Sequence, residues 1–298
     1  MLLKGSFFMN DDFKLFVSIL SSELWKDQFP KREINIWDAF EKEIAHNRFF
    51  PETGGICDAL NFYSEKAVYT LQKGKTIFRA RLIKSMEELP SYEQISKYYF
   101  YNWDDSWQKC SDGPVKDEEL SNESGFWGFD AVGSDAPPTD KASAGRINPA
   151  GISYLYAAED SHTAIVEVRP TIKQRVSVAK IEIKKDLLLF DFCADLADSD
   201  STGNQKELFC ETARRLSMPN YVGDTGYYAT QYIAQYIKKL KGSFDGIRFQ
   251  SSLCNGKNIV LFDTAKDDQT KKPQNYDIKN SHIHYIDNII ISEKEELL

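Results

Sequence analysis

The apolar positions of this chain change period near Gly74, and the change separates a helical first segment from a strand-rich remainder. Phe13, Phe16, Val17, Leu20 and Leu24 keep the i, i+3, i+4 spacing of an amphipathic helix. Trp37, Phe40, Glu41 and Ile44 predict a second helix, and Ile56, Leu60, Tyr63, Ala67 and Leu71 a third. Pro30, Pro51 and the Gly54-Gly55 pair punctuate them. No chemical spacing accompanies these stripes, so residues 1–74 read as a helical scaffold or regulatory domain and 75–298 as a second domain.

After Gly74, Thr76, Phe78 and Ala80 alternate with Ile77, Arg79 and Arg81, predicting a short strand with two arginines on one side. Surface salt bridges and an anion clamp both suit such a pair. Tyr98 to Trp107 is strongly aromatic, which fits a stacking wall or a satellite core. Gly113 to Gly151 is a long connection rich in Gly, Pro, Ser and Asp, the composition of a binding loop or lid.

Gly145 to Pro170 reads GRINPAGISYLYAAEDSHTAIVEVRP. Arg146 and Asn148 lie in a turn, Ile152, Tyr154 and Tyr156 alternate as a half-buried strand, and Asp160 or Ser161 caps a helix that Pro170 forbids from continuing. Glu167 falls among Ile165, Val166 and Val168, where a carboxylate must be paired or shifted in pKa. Arg169 and Lys180 are its candidate structural partners. Further on, 175–183 and 187–192 predict strands. Leu208 to Leu216 and Ala229 to Leu240 predict helices. Strands are expected again at 244–249, 259–262 and Ile283 to Ile291. Helices followed by strands with interspersed helices define an α+β class, not a doubly wound sheet.

Composition narrows the function. The net charge of −8 disfavours a phosphate-backbone binder, so nucleic acid is not an expected partner. No run of apolar residues is long enough to span a membrane, and the broken start lacks a signal-peptide core, which predicts a cytoplasmic protein. The 5 cysteines are scattered without a C-x-x-C pair, and His282 and His284 lack a third ligand, so no metal is expected. Walker, Rossmann, nucleophile-elbow and zincin motifs are missing, as is the bidentate glutamate that a calcium loop at DSDSTG would need.

Three polar islands remain: FRARL from Phe78, the stretch 145–170, and FDGIRFQSSLCNGKNIVLFD from Phe244. In this order, with the helix YYATQYIAQYIKK before the last, they resemble the RES domain family, named for its Arg, Glu and Ser. The helical start is similar to the longer subgroup, in which a helical domain precedes the RES core. The resemblance implies an ADP-ribosyltransferase-like split β-sheet gripping NAD+. It also implies a toxin that consumes NAD+ by phosphorolysis or hydrolysis, inorganic phosphate being the co-substrate in the first case. Relatives that modify a protein, and an inactive nucleotide- or partner-binding module, are the other readings. A helix-turn-helix antitoxin is the implied partner, and the helical domain leaves a homo-oligomer or a gated cleft open.

By the same resemblance Arg79 matches the first-strand arginine, with Arg81 a rival, Arg146 the turn arginine, Tyr156 the strand tyrosine, Glu167 the helix glutamate and Ser251 the serine. Ser252 follows directly, so the serine can slip by one. Glu167 would stabilise an oxocarbenium-like ribose. Arg79 and Arg146 would bind pyrophosphate, and Tyr156 would form a wall for nicotinamide. Asn148 and Ser251 or Ser252 would hydrogen-bond the substrate. Arg81 or Arg248 would supply an extra anion site.

Overall fold

The computed structural model describes residues 31–46, 55–92, 99–101, 107–109, 125–195, 203–218, 227–240, 244–262 and 275–289. The helix expected around Phe13 to Leu24 lies outside these residues, as do the side chains of the Tyr98 to Trp107 cluster.

Helix α1 spans Lys31–His46 and α2 spans Gly55–Tyr63. The third predicted helix stops eight residues short of Leu71, because the chain turns at Ser64 to Lys66 and continues as strand β1, Val68–Leu71. Ala67 is fully buried and prolongs the apolar stripe of α2, but the run Val-Tyr-Thr after it favours an extended pleat. Strand β2 is Thr76–Ile83, β3 Tyr99–Tyr101 and β4 Trp107–Lys109. Strand β5 is Leu155–Ala158, followed by helix α3, Ser161–Glu167. Strands β6, Arg175–Ile183, and β7, Leu187–Asp191, precede helices α4, Gly203–Ser217, and α5, Tyr228–Lys239. Strands β8, Gly246–Gln250, β9, Lys257–Leu261, and β10, Tyr276–Tyr285, are the last among the described residues. The last described strand therefore begins before Ile283, and Ile291 lies outside the described residues. Its pairing with β6 ends at Tyr285–Arg175, and Ile289 is exposed.

Eight strands form one sheet in the order β1-β7-β8-β9-β5-β2-β6-β10, and β3-β4 is a separate hairpin. Only β7 and β8, separated in sequence by α4 and α5, run parallel. The junction between β5 and β2 is a single residue pair, Phe78 with Ala158. The sheet is thus nearly split into β1-β7-β8-β9-β5 and β2-β6-β10.

The two faces carry different cores. On one, Trp37, Phe40, Leu60, Phe209 and Ile233 from α1, α2, α4 and α5 pack against Phe190, Ile247 and Val260. The other draws Ile77, Ile181 and Tyr276 from one half and Leu155, Leu189 and Ile259 from the other, so apolar burial holds the halves together where hydrogen bonding does not. Residue 74, the expected domain boundary, falls between β1 and β2, two strands of this one sheet. Arg215 of α4 pairs with Glu41 of α1 and stacks over Trp37, fixing the first helix to the layer beneath it. No described helix is long and apolar enough to cross a membrane.

Candidate active site

Where the sheet halves part, a cavity of about 500 Å³ opens, lined by Arg79, Arg146, Asn148, Tyr156, Glu167 and Asn258 among others. Local sequence places these groups. The Asp160 carboxylate accepts from the Thr163 amide at 2.8 Å and caps α3, so that the short helix ends on Glu167. Arg169 then adopts φ 50°, a left-handed turn that, with Pro170, closes the helix. Across the cavity the Gly145 amide donates to the Asn148 carbonyl at 2.9 Å. A Cβ on Gly145 would lie 2.7 Å from Asn148 Oδ1 and 2.8 Å from the Tyr156 hydroxyl, so only glycine fits there.

Glu167 is paired with neither Arg169 nor Lys180. Its Oε1 accepts from Ser251 Oγ at 2.7 Å and from Asn258 Nδ2 at 2.6 Å. Its Oε2 lies 3.6 Å from Arg146 Nη2, an ion pair too long to be a hydrogen bond. Arg146 is itself anchored, because Nη1 donates to the carbonyls of Leu216 and Ser217 at the end of α4, at 3.1 and 2.5 Å. The turn is also held from behind: Thr230 donates to the Arg146 carbonyl and Gln231 to the carbonyls of Gly145 and Asn148.

Arg79 Nη1 donates to the Tyr156 carbonyl at 2.8 Å, while its buried Nε has no partner among the described residues. Burial, and then the neighbouring Arg81, bring its pKa down to about 10. Tyr156 donates its hydroxyl proton to Asn148 Oδ1 at 2.6 Å and accepts from the Ile147 amide at 3.2 Å. Burial pushes its pKa up to about 12, so it stays a neutral phenol whose ring walls the cavity.

Of the expected site residues, Arg79, Arg146, Asn148, Tyr156 and Glu167 therefore meet at one cavity, although the Asn148 amide is spent on its own turn. Arg81, Ser251, Ser252 and Arg248 have other surroundings. Arg81 turns away, donating to the Gly133 carbonyl and stacking 4.5 Å over Phe129. Ser251, 1% exposed, sits behind Glu167 and grips it, so its hydroxyl is committed to the carboxylate and not open to substrate. Ser252 Oγ is buried without a hydrogen-bond partner among the described residues. Asn148 Nδ2 donates to the carbonyls of Ser143, Pro149 and Ile152, so this residue builds the turn. Arg248 is no anion site. It bridges Asp191 at 2.8 Å and Glu159 at 2.7 Å beneath the Tyr69 ring. Asn258, Tyr227 and Phe249 also line the cavity without having been foreseen. Asn258 left one signal, a lone amide in the apolar strand NIVLF.

An α+β fold whose sheet divides at a single bridge, with a carboxylate and arginines in the gap, is the ADP-ribosyltransferase-like arrangement that the motifs imply. The chain belongs to the RES domain family, whose model matches residues 123–285, more than half of its length. Arg146, Tyr156, Glu167, Ser251 and Asn258 fall inside the match, and Arg79 precedes it. A solved structure similar to this chain is the crystal structure of the M. tuberculosis MbcT-MbcA toxin-antitoxin complex. The two share 15% identity over 78% of this chain and 92% of that one, with a TM-score of 0.37. No curated protein matches the sequence.

Proposed function

We propose that this protein consumes NAD+ by cleaving the bond between nicotinamide and its ribose. The observation that carries the reading is Glu167: its Oε1 is tied by two donors, and its Oε2 lies beside Arg146 at the edge of a cavity that also holds Arg79. In the reaction the C1′–N bond breaks and its electron pair leaves with neutral nicotinamide. The ribose passes through an oxocarbenium-like state, and an acceptor oxygen, from water or phosphate, forms the new bond to C1′. With water, the surplus proton goes to solvent.

Nicotinamide leaves readily, so the protein's task is electrostatic. The Glu167 carboxylate, its side chain 19% exposed, faces the positive charge that develops on the ribose. Arg79 binds the pyrophosphate, which supplies the missing partner of its guanidinium. Tyr156, Tyr227 and Phe249 enclose flat rings on the cavity wall. Arg146, 3.6 Å from Oε2, joins the carboxylate to the helical layer. In keeping with family membership, we read the protein as a toxin restrained by an antitoxin partner.

The test is incubation of purified protein with NAD+, with and without phosphate, and separation of the products. Release of nicotinamide supports the reading, with ADP-ribose marking hydrolysis and ADP-ribose-1″-phosphate marking phosphorolysis. Label on protein would mark transfer instead, and intact NAD+ would end the proposal.

A further inference from the structure

Asn258 has no role in the motif comparison, yet it makes the shortest contact to Glu167. Oε1 accepts from Asn258 Nδ2 at 2.6 Å and from Ser251 Oγ at 2.7 Å, which fills the in-plane lone pairs of one carboxylate oxygen. A ribose hydroxyl is left with Oε2. The same contact fixes the amide's orientation, since a carbonyl oxygen cannot face a carboxylate. Asn258 Oδ1 accepts no hydrogen bond among the described residues, and Asn258 lines the cavity whereas Ser251 does not. The strand delivers it there. Ile259 and Leu261 enter one core, Val260 enters the other, and Asn258 alternates onto Val260's side. A buried amide on an apolar strand is costly unless it is used.

We propose that Asn258 is the positioning residue for NAD+ cleavage, locking Glu167 so that Oε2 is the oxygen presented to the ribose. This rests on the NAD+-cleaving reading above.

The test compares wild type, Asn258→Ala and Asn258→Asp by kcat and KM for NAD+, and by melting temperature at pH 5 and pH 8. Asn258→Ala is expected to lower kcat about 10- to 100-fold with KM changed less than about threefold, because the lock acts on the transition state. Asn258→Asp sets two carboxylates face to face at pH 8. At pH 5 a shared proton restores a donor, so its activity and melting temperature, each relative to wild type, rise on acidification. The other charged or titratable groups lining the cavity around the pair are Arg146 on the turn, Tyr154, Tyr227 and, across the cavity, Arg79 and Tyr156. With pKa values of about 10 and about 12, the last two do not titrate in this window. Wild-type kcat in Asn258→Ala overturns the proposal, as does an Asn258→Asp protein without recovery at pH 5. If wild type leaves NAD+ intact, the NAD+ reading fails by itself. The lock is then judged by melting temperature alone: recovery of Asn258→Asp at pH 5 upholds it and no recovery overturns it.

Discussion

Replacing Arg79 by methionine should make the unliganded protein more stable while destroying its hold on NAD+. In the folded chain the guanidinium falls from an ordinary pKa of 12.5 to about 10, through burial and then the charge of Arg81. At about 1.4 kcal/mol per pKa unit, that is roughly 3 kcal/mol against the charged form. Methionine removes this penalty and keeps most of the side-chain volume. It also removes the 2.8 Å bond to the Tyr156 carbonyl, worth about 1 kcal/mol net. The balance is a gain of about 1–2 kcal/mol, which for a chain of this length raises the melting temperature by about 2–3 °C. The sign can be checked with pH. A base with a depressed folded pKa binds fewer protons folded than unfolded between about pH 10 and 12.5, so the penalty that Arg79 places on wild-type stability shrinks with pH in that interval. Denaturant unfolding of both proteins at pH 8 and pH 11, without nucleotide, is the assay. Arg79→Met should lead at pH 8, and its lead should shrink at pH 11. Destabilisation by more than about 1 kcal/mol at pH 8 would refute the claim that the arginine is under-compensated.

Other variants separate structure from chemistry. Arg248→Met leaves Asp191 and Glu159 without their shared cation and should cost about 3–5 kcal/mol in denaturant unfolding, with NAD+ turnover per folded molecule retained. Ser251→Ala should lower kcat about 10- to 100-fold in steady-state assays, in line with about 1.5–3 kcal/mol for a hydrogen bond to a charged group. Ser252→Ala, which removes a buried hydroxyl without a partner, should leave kcat unchanged and stability equal or slightly higher.

What the sequence disclosed was mostly local. The cap at Asp160, the helix carrying Glu167 and its end at Pro170 lie within a few residues of one another, and the structure repeats them. Alternation found the strand with Arg79 and the strands flanking α4 and α5. The end of α2 was misread because Ala67 and Leu71 extend an i, i+4 stripe although they sit on a turn and a strand. The surroundings of Glu167 were out of reach of local spacing. Ser251 and Asn258 donate to it from 84 and 91 residues away. Arg81, Arg146 and Arg248 look alike in sequence, and only tertiary packing decides that one stacks on Phe129, one faces Glu167 and one bridges two acids.

The most direct test of the central claim is NAD+ turnover by Glu167→Gln. The glutamine oxygen can keep the donors Ser251 and Asn258, so the variant should stay folded while losing the charge that faces the ribose and Arg146. The account predicts a fall in kcat of at least about 100-fold, the size of effect seen when preorganised electrostatic stabilisation is removed. Wild-type turnover by the folded variant would contradict it.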